Sequence, residues 1–93
     1  MRPSALLLAL LMALPAAAKT IAVVRADNGA LLQLTDEMGP CLGPARQAIW
    51  MSADGLERIP GCWRLHGKNV LVAFLDGDVA EVPVSLLRRP DDV

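Results

Sequence analysis

The stretch Ile59–Val84, IPGCWRLHGKNVLVAFLDGDVAEVPV, most constrains the fold, because its apolar residues alternate with polar ones around two turn signals. Gly67-Lys68 fits a two-residue type II′ hairpin loop, which requires glycine first. Leu75-Asp76-Gly77 fits a three-residue loop in which the glycine takes the left-handed conformation of a G1 bulge. We therefore predict three consecutive antiparallel strands, over Cys62–His66, Asn69–Leu75 and Val79–Val84.

These loop lengths also predict the register. Val72 lies opposite Trp63 across the first loop and opposite Ala80 across the second. One face then collects the apolar side chains Trp63, Leu65, Val70, Val72, Phe74, Ala80 and Val82. The other face carries Arg64, His66, Asn69, Ala73 and Glu81, with Leu71 and Leu75 as apolar exceptions. Such alternation predicts a sheet with one buried face.

The chain before this stretch contains a second hairpin signal. Thr20–Ala26 and Ala30–Thr35 flank Asp27-Asn28-Gly29, another three-residue loop with glycine last. Leu42–Asp54 is ambiguous, because Pro44 suits the first turn of a helix while Asp-Gly before Leu56 is a hairpin signal. We favour a strand over Gln47–Ser52.

We expect Pro60-Gly61 to break the chain before Cys62. After the last strand, Ser85–Arg88 fits one helical turn capped by Ser85, and residues 89–93 read as a flexible tail. The sequence thus predicts an all-β fold for residues 19–88. This single small domain is an antiparallel meander of five or six strands curling into a half-barrel or barrel.

The first 18 residues, Met1–Ala18, read as a signal peptide. Arg2 gives a positive start, Ala5–Leu14 is a short apolar run, and Ala16-Ala17-Ala18 fits an A-x-A cleavage signal. The run is shorter than the about 20 residues that a membrane span needs. An uncleaved anchor or a buried helix is the alternative. We expect cleavage before Lys19, a periplasmic or secreted location, and no stable membrane insertion after cleavage.

Charge and cysteine content narrow the function classes. Without Arg2, nine basic residues become eight against ten acidic ones, so the net charge changes from −1 to −2. The chain therefore has no excess of basic residues, which argues against a nucleic-acid partner. Two cysteines in an exported chain predict one disulfide, Cys41–Cys62. A redox or metal site is the alternative, but catalytic dithiols usually form C-x-x-C and structural zinc takes four ligands.

The chain resembles short exported proteins of proteobacteria and their prophages, which are generally left uncharacterised. The shared pattern is LTDE (Leu34–Glu37), a following Cys41, GCW (Gly61–Trp63) and DGD (Asp76–Asp78). These motifs are turn residues, a cysteine pair and a core tryptophan. The resemblance supports export, a disulfide and an all-β meander, and it implies no catalytic residue and no ligand.

The sequence offers few groups for chemistry. The sequence has a single histidine, His66, and no serine in a nucleophile-elbow motif that this histidine could activate. Asp76 and Asp78 around one glycine lack the further oxygen ligands of a calcium loop, and no phosphate-binding glycine loop is present. We predict no catalytic residue, no metal and no cofactor. If the chain were a hydrolase, Asp36 or Glu37 would be the candidate catalytic carboxylates.

We therefore expect a protein-interaction module of the bacterial envelope that binds another envelope protein. The candidate partner-binding residues are Trp50, Arg64, His66 and Leu71. Trp50 is a core residue or an interface anchor, since large aromatics serve in both places. An inhibitor of a cell-wall enzyme is an alternative, and a small cell-wall hydrolase is a second one. An exposed apolar patch favours the module, and a concave cleft lined by two carboxylates favours the enzyme. The sequence leaves the oligomeric state open.

Overall fold

The computed structural model describes residues 19–92, so the predicted signal peptide lies outside the described residues. Six strands follow one another along this part of the chain: β1 Thr20–Arg25, β2 Leu31–Thr35, β3 Arg46–Met51, β4 Arg58–His66, β5 Asn69–Phe74 and β6 Val79–Pro83. Each strand pairs antiparallel with the next, which gives one sheet in the order β1-β2-β3-β4-β5-β6. The predicted all-β meander, curled into a half-barrel, is confirmed.

The hairpin registers are those that the turn chemistry predicts. Val72 lies opposite Trp63 on one side and opposite Ala80 on the other. Gly77 has a φ of 98°, the left-handed conformation that its loop requires. In the first hairpin Val24 pairs with Leu32, the register that the predicted three-residue loop gives. Loop residues thus fix which side chains share a face.

The hydrophobic core lies on the concave inner face of the sheet. Its buried members are Leu32, Leu34, Ala48, Val70 and Val72, and the side chains packed against them include Trp63, Phe74 and Val82. Leu65 shares this face but is 63% exposed, so its predicted place in the core is wrong. β3 begins at Arg46, opposite Trp63, and therefore no β3 residue lies beside Leu65.

The predicted break at Pro60-Gly61 is also wrong, because β4 runs through both residues. The Pro60 carbonyl accepts a hydrogen bond from the Leu75 N–H (3.0 Å) and therefore faces away from β3. The nitrogen and carbonyl of one strand residue point to the same side, so the Pro60 nitrogen, which has no hydrogen to donate, also faces away from β3. Pairing with β5 begins only at Gly61, opposite Phe74. Pro60 therefore occupies a local sheet edge, where proline is tolerated.

The ambiguous segment Leu42–Asp54 contains strand β3, as favoured from the Asp-Gly signal, and the strand begins one residue before the predicted start. The loop before it carries Cys41, which is buried and bonded to Cys62 of β4 with the two Cα atoms 5.7 Å apart. The predicted disulfide is confirmed. It pins the loop between β2 and β3 to the middle of the sheet.

The chain after β6 returns to the first strand. A 3-10 turn covers Val84–Leu86 and follows directly on Pro83, so Ser85 lies inside the turn and is not the predicted cap. Val23 and Arg88 then exchange two backbone hydrogen bonds of 2.8 Å. This isolated bridge covers part of the free edge of β1, a common protection for edge strands. Residues 90–92 form a second 3-10 turn in contact with β1, and the flexibility of 89–93 stays a prediction.

Candidate binding site

A cavity of about 430 Å³ opens at one end of the half-barrel. The hairpin loops β1–β2, β3–β4 and β5–β6 all lie at this end, because a meander turns alternately at its two ends. We call this end the mouth. Its lining residues are Val24, Ala26, Ala30, Leu32, Trp50, Glu57, Ile59, Phe74, Asp76, Asp78, Val79, Ala80 and Val82. The size lies within the range of small-ligand and side-chain pockets.

The cavity exists because the inner face is unevenly filled along the strands. Away from the mouth, Leu34, Val70 and Val72 are at most 1% exposed and close the interior. Toward the mouth, the wall includes the small side chains of Ala30 and Ala80 beside the large Trp50 and Phe74. Alanine at these inward positions leaves space that a larger aliphatic side chain would occupy.

Three carboxylates lie at the rim of this apolar cavity. Glu57 comes from the β3–β4 hairpin, and Asp76 and Asp78 come from the β5–β6 loop. The basic residues nearest these loops in the sequence are Arg25 and Arg58. Their pairing with Leu31 and Met51 places both on the outer face. No basic side chain is among the lining residues within 19–92, so the described rim of the cavity is negative.

Three exposed apolar residues lie at the mouth end of the sheet. Leu56 on the β3–β4 hairpin is 87% exposed, Leu75 on the β5–β6 loop 70%, and Val79 at the start of β6 66%. Exposed apolar residues beside an apolar cavity are typical of interaction sites. None of the three was among the predicted partner-binding residues.

The mouth loops are held by their own polar side chains. Asp54 Oδ1 accepts hydrogen bonds from the Ser52 hydroxyl (2.6 Å) and the Leu56 N–H (3.0 Å). These two donors hold the pKa of the Asp54 carboxyl below its ordinary value. Asp76 Oδ1 likewise accepts from the Asp78 N–H at 2.9 Å. The loops that carry the apolar side chains are therefore pre-organised.

The four candidate partner-binding residues do not form one surface. Arg64 and Leu71 are cross-strand partners on the outer face, and His66 lies two residues along the same strand. Trp50 is on the inner face, half-buried, where it packs against the core and lines the cavity. The structure thus brings three of these residues together and separates the fourth.

The outer-face group is organised around Glu81. Its Oε2 accepts a hydrogen bond from Asn69 Nδ2 at 2.8 Å and lies 3.3 Å from Nδ1 of His66. The Asn69 amide, followed by His66, holds the pKa of the Glu81 carboxyl below its ordinary value. The side chains of His66 and Glu81 are 58% and 42% exposed. A pair this exposed to solvent contributes little to stability.

Trp63 has a structural role. Its indole Nε1–H donates to the Thr35 carbonyl (2.9 Å), and the ring packs against the core. A hydrogen-bonded indole is the usual state of an inward-facing tryptophan. The predicted core position of Trp63 agrees with this geometry.

The carboxylates named for a hydrolase lie elsewhere. Asp36 and Glu37 are exposed on the loop between β2 and β3, at the opposite end from the mouth, and neither lines the cavity. Across the described residues, His, Cys, Asp and Glu side chains form no group of three or more that could hold a metal ion. Within residues 19–92, no helix reaches the length and hydropathy of a membrane span.

Sequence reasoning missed the cavity. The available signal was the alanine content of the inward positions, since Ala30 and Ala80 line the cavity where larger residues would fill a sheet core. Asp76 and Asp78 were interpreted as turn formers, which they are, but the same loop also carries them to the rim. Comparisons of the chain with protein-family models, curated proteins and solved structures found no match.

Proposed function

We propose that this chain is a small exported protein-interaction module of the bacterial envelope, and that it binds another envelope protein through the mouth. The observation that carries the proposal is the unfilled apolar cavity with Leu56, Leu75 and Val79 exposed around it. Exposed apolar side chains close to an apolar cavity are typical of protein-interaction sites. The Cys41–Cys62 disulfide is compatible with an oxidising compartment outside the cytoplasm.

The shape of the mouth also bears on the hydrolase alternative, because carboxylates do line a concave site. Glu57, Asp76 and Asp78 are all exposed. A glycosidase needs one carboxyl group in an apolar environment, which keeps it protonated as the general acid. The mouth has apolar walls and exposed carboxylates at its rim, which suits binding better than acid catalysis.

Inhibition of a cell-wall enzyme is a specific form of the proposed function. The β3–β4 hairpin favours it, because Leu56 is the most exposed large apolar residue described and its loop is held rigid by Ser52 and Asp54. A rigid loop that presents one apolar side chain loses little conformational entropy when it enters an enzyme cleft.

Site-specific cross-linking in living cells tests the proposal. A photo-reactive amino acid replaces Leu56 in one variant and Leu42 in the control, because Leu42 is 84% exposed but lies on the opposite loop. We expect one discrete adduct from position 56 and none from position 42, and the purified partner should bind the unmodified chain. Adducts from position 42 alone, or from neither position, would contradict binding through the mouth.

Export is tested separately by the intact mass of the chain recovered from the periplasm. We expect a chain that begins at Lys19. A mass that still includes Met1–Ala18 would contradict cleavage.

A further inference from the structure

We propose that the mouth recognises a basic apolar peptide segment of its partner, with an apolar side chain entering the cavity and a neighbouring lysine or arginine meeting the carboxylates at the rim. This inference rests on the proposed function and adds the chemistry of the occupant.

The apolar part of the occupant follows from the walls. Trp50, Ile59 and Phe74 line the cavity together with small and branched aliphatic side chains. The described lining offers no amide or hydroxyl side chain, so its specific polar contacts are limited to the carboxylates, the indole N–H of Trp50 and the backbone. A side chain such as leucine or phenylalanine therefore suits the interior better than a polar group, which would lose its water without a replacement partner.

The positive charge of the occupant follows from the rim. Glu57, Asp76 and Asp78 lie among the lining residues, while Arg25 and Arg58 are on the outer face. A cationic side chain beside the inserted apolar group therefore meets three negative charges and no basic side chain among the described lining residues. Such complementarity raises association rates and excludes acidic segments.

The exposed apolar residues favour a peptide segment over a small cationic amphiphile. A small molecule could fill the cavity, but it would leave Leu56 and Leu75 in water, because neither is among the lining residues. A polypeptide that enters the cavity with one side chain is long enough to reach the β3–β4 and β5–β6 loops, which carry Leu56 and Leu75. The structure therefore favours an occupant large enough to cover the loops as well as the cavity.

Three synthetic peptides of equal length test the inference with the chain of residues 19–93: one with leucine flanked by lysines, one with serine flanked by lysines, and one with leucine flanked by glutamates. Affinity is measured by anisotropy of a dye on each peptide at low salt and at about 0.15 M salt, where exposed charges are screened beyond about 8 Å. We expect the lysine–leucine peptide to bind about tenfold more tightly than either control, a difference of about 1.4 kcal/mol. Equal binding of the three peptides would overturn the inference.

Charge neutralisation tests the rim. Glu57→Gln, Asp76→Asn and Asp78→Asn are combined in one variant, and Asn keeps the side-chain oxygen that holds the Asp76 turn. The matched control combines Asp36→Asn, Glu37→Gln and Asp91→Asn, which makes the same change in net charge away from the cavity. We expect several-fold weaker binding and loss of salt dependence for the first variant alone. Unchanged affinity would overturn the inference while leaving a cross-link from position 56, and so the proposed function, intact.

Two further variants test the cavity and the size of the occupant. Ala26→Phe places a ring at an exposed lining position, where folding tolerates it, and we expect it to abolish binding. Leu56→Ser with Leu75→Ser should weaken peptide binding severalfold but leave dodecylammonium, a small cationic amphiphile, unaffected. If the serine variant keeps full peptide affinity, or Ala26→Phe binds normally, the inference is wrong. A thermal melt confirms that each variant is folded.

Discussion

Gly61→Ala tests whether the continuous strand β4 depends on a close approach to β5. A Cβ at position 61 would lie 2.7 Å from the Ala73 carbonyl oxygen, 3.0 Å from Phe74 Cδ1 and 3.1 Å from Phe74 Cα. Carbon–oxygen contacts between adjacent strands are ordinarily about 3.3 Å or longer. Two of the three atoms belong to the backbone, so no side-chain rotation relieves the contact and the two strands must separate locally.

The expected cost follows from two opposing effects. Overpacking of this kind costs about 1–3 kcal/mol. The loss of backbone freedom in the unfolded chain returns about 0.4–1 kcal/mol when glycine becomes alanine. We therefore expect a net loss of about 1–2 kcal/mol. A domain of this size has a stability on the order of 4–11 kcal/mol, so the variant should still fold.

Urea unfolding followed by tryptophan fluorescence measures the effect, with Pro60→Ala as the neighbouring control. Pro60 is exposed and on the outer face, so its replacement should change the free energy of unfolding by less than about 1 kcal/mol. If Gly61→Ala proves neutral or stabilising, the close contact between β4 and β5 is wrong. That result would revive the interpretation of Pro60-Gly61 as a break.

Three other perturbations test the fold. Cys41→Ala with Cys62→Ala opens a loop with a sequence separation of 21 and should cost about 3 kcal/mol in urea unfolding, whereas a loss under about 1 kcal/mol would mean that the cross-link is dispensable. Val72→Asp places an unpaired charge at a fully buried core position and should prevent stable folding, as judged by circular dichroism, so a cooperative thermal melt would contradict the assigned faces. Glu81→Gln should lower stability slightly at neutral pH. Because the folded pKa of Glu81 lies below its ordinary 4.5, the ionised carboxylate stabilises the fold above that value, and the difference from the parent should vanish as pH falls through the folded pKa. If the two proteins still differ in stability at the lowest pH, the ionised Glu81 carboxylate is not the source of the difference.

The strand order and register could be predicted because short loops carry their own geometry. A glycine in the last position of a three-residue loop fixes which residues of the two strands face each other, as at Gly77 and Gly29. A one-residue slip would turn every apolar side chain to the wrong face. The disulfide followed from the number of cysteines and the expected compartment.

The features that were predicted wrongly, or not predicted, depend on contacts between distant parts of the chain, which local sequence patterns do not show. Pro60 was predicted to interrupt the strand, because the sequence does not show where β5 ends beside it. β5 ends opposite Gly61, so a proline at position 60 removes no hydrogen bond between strands. Leu65 was assigned to the core because alternation says nothing about how far β3 extends beside it. The bridge from Arg88 to Val23 joins the two ends of the domain, and no local signal marks it.

The mouth was missed for a related reason. Whether inward alanines leave a cavity depends on the curvature of the sheet and on the side chains opposite them, which only the assembled fold provides. Trp50 illustrates the limit, because the sequence offered core and interface anchor as alternatives. In the structure its ring packs against the core and lines the cavity at the same time.

The two tryptophans provide the most direct measurement of the central claim, that the mouth is the binding surface. Trp50 lines the cavity. Trp63 does not line it, and its indole Nε1–H donates a hydrogen bond to the Thr35 carbonyl. In a titration of the 15N-labelled chain of residues 19–93 with the lysine–leucine peptide, the indole signal of Trp50 should shift progressively while that of Trp63 stays in place. A shift confined to Trp63, equal shifts of both signals, or binding that moves neither would contradict the claim.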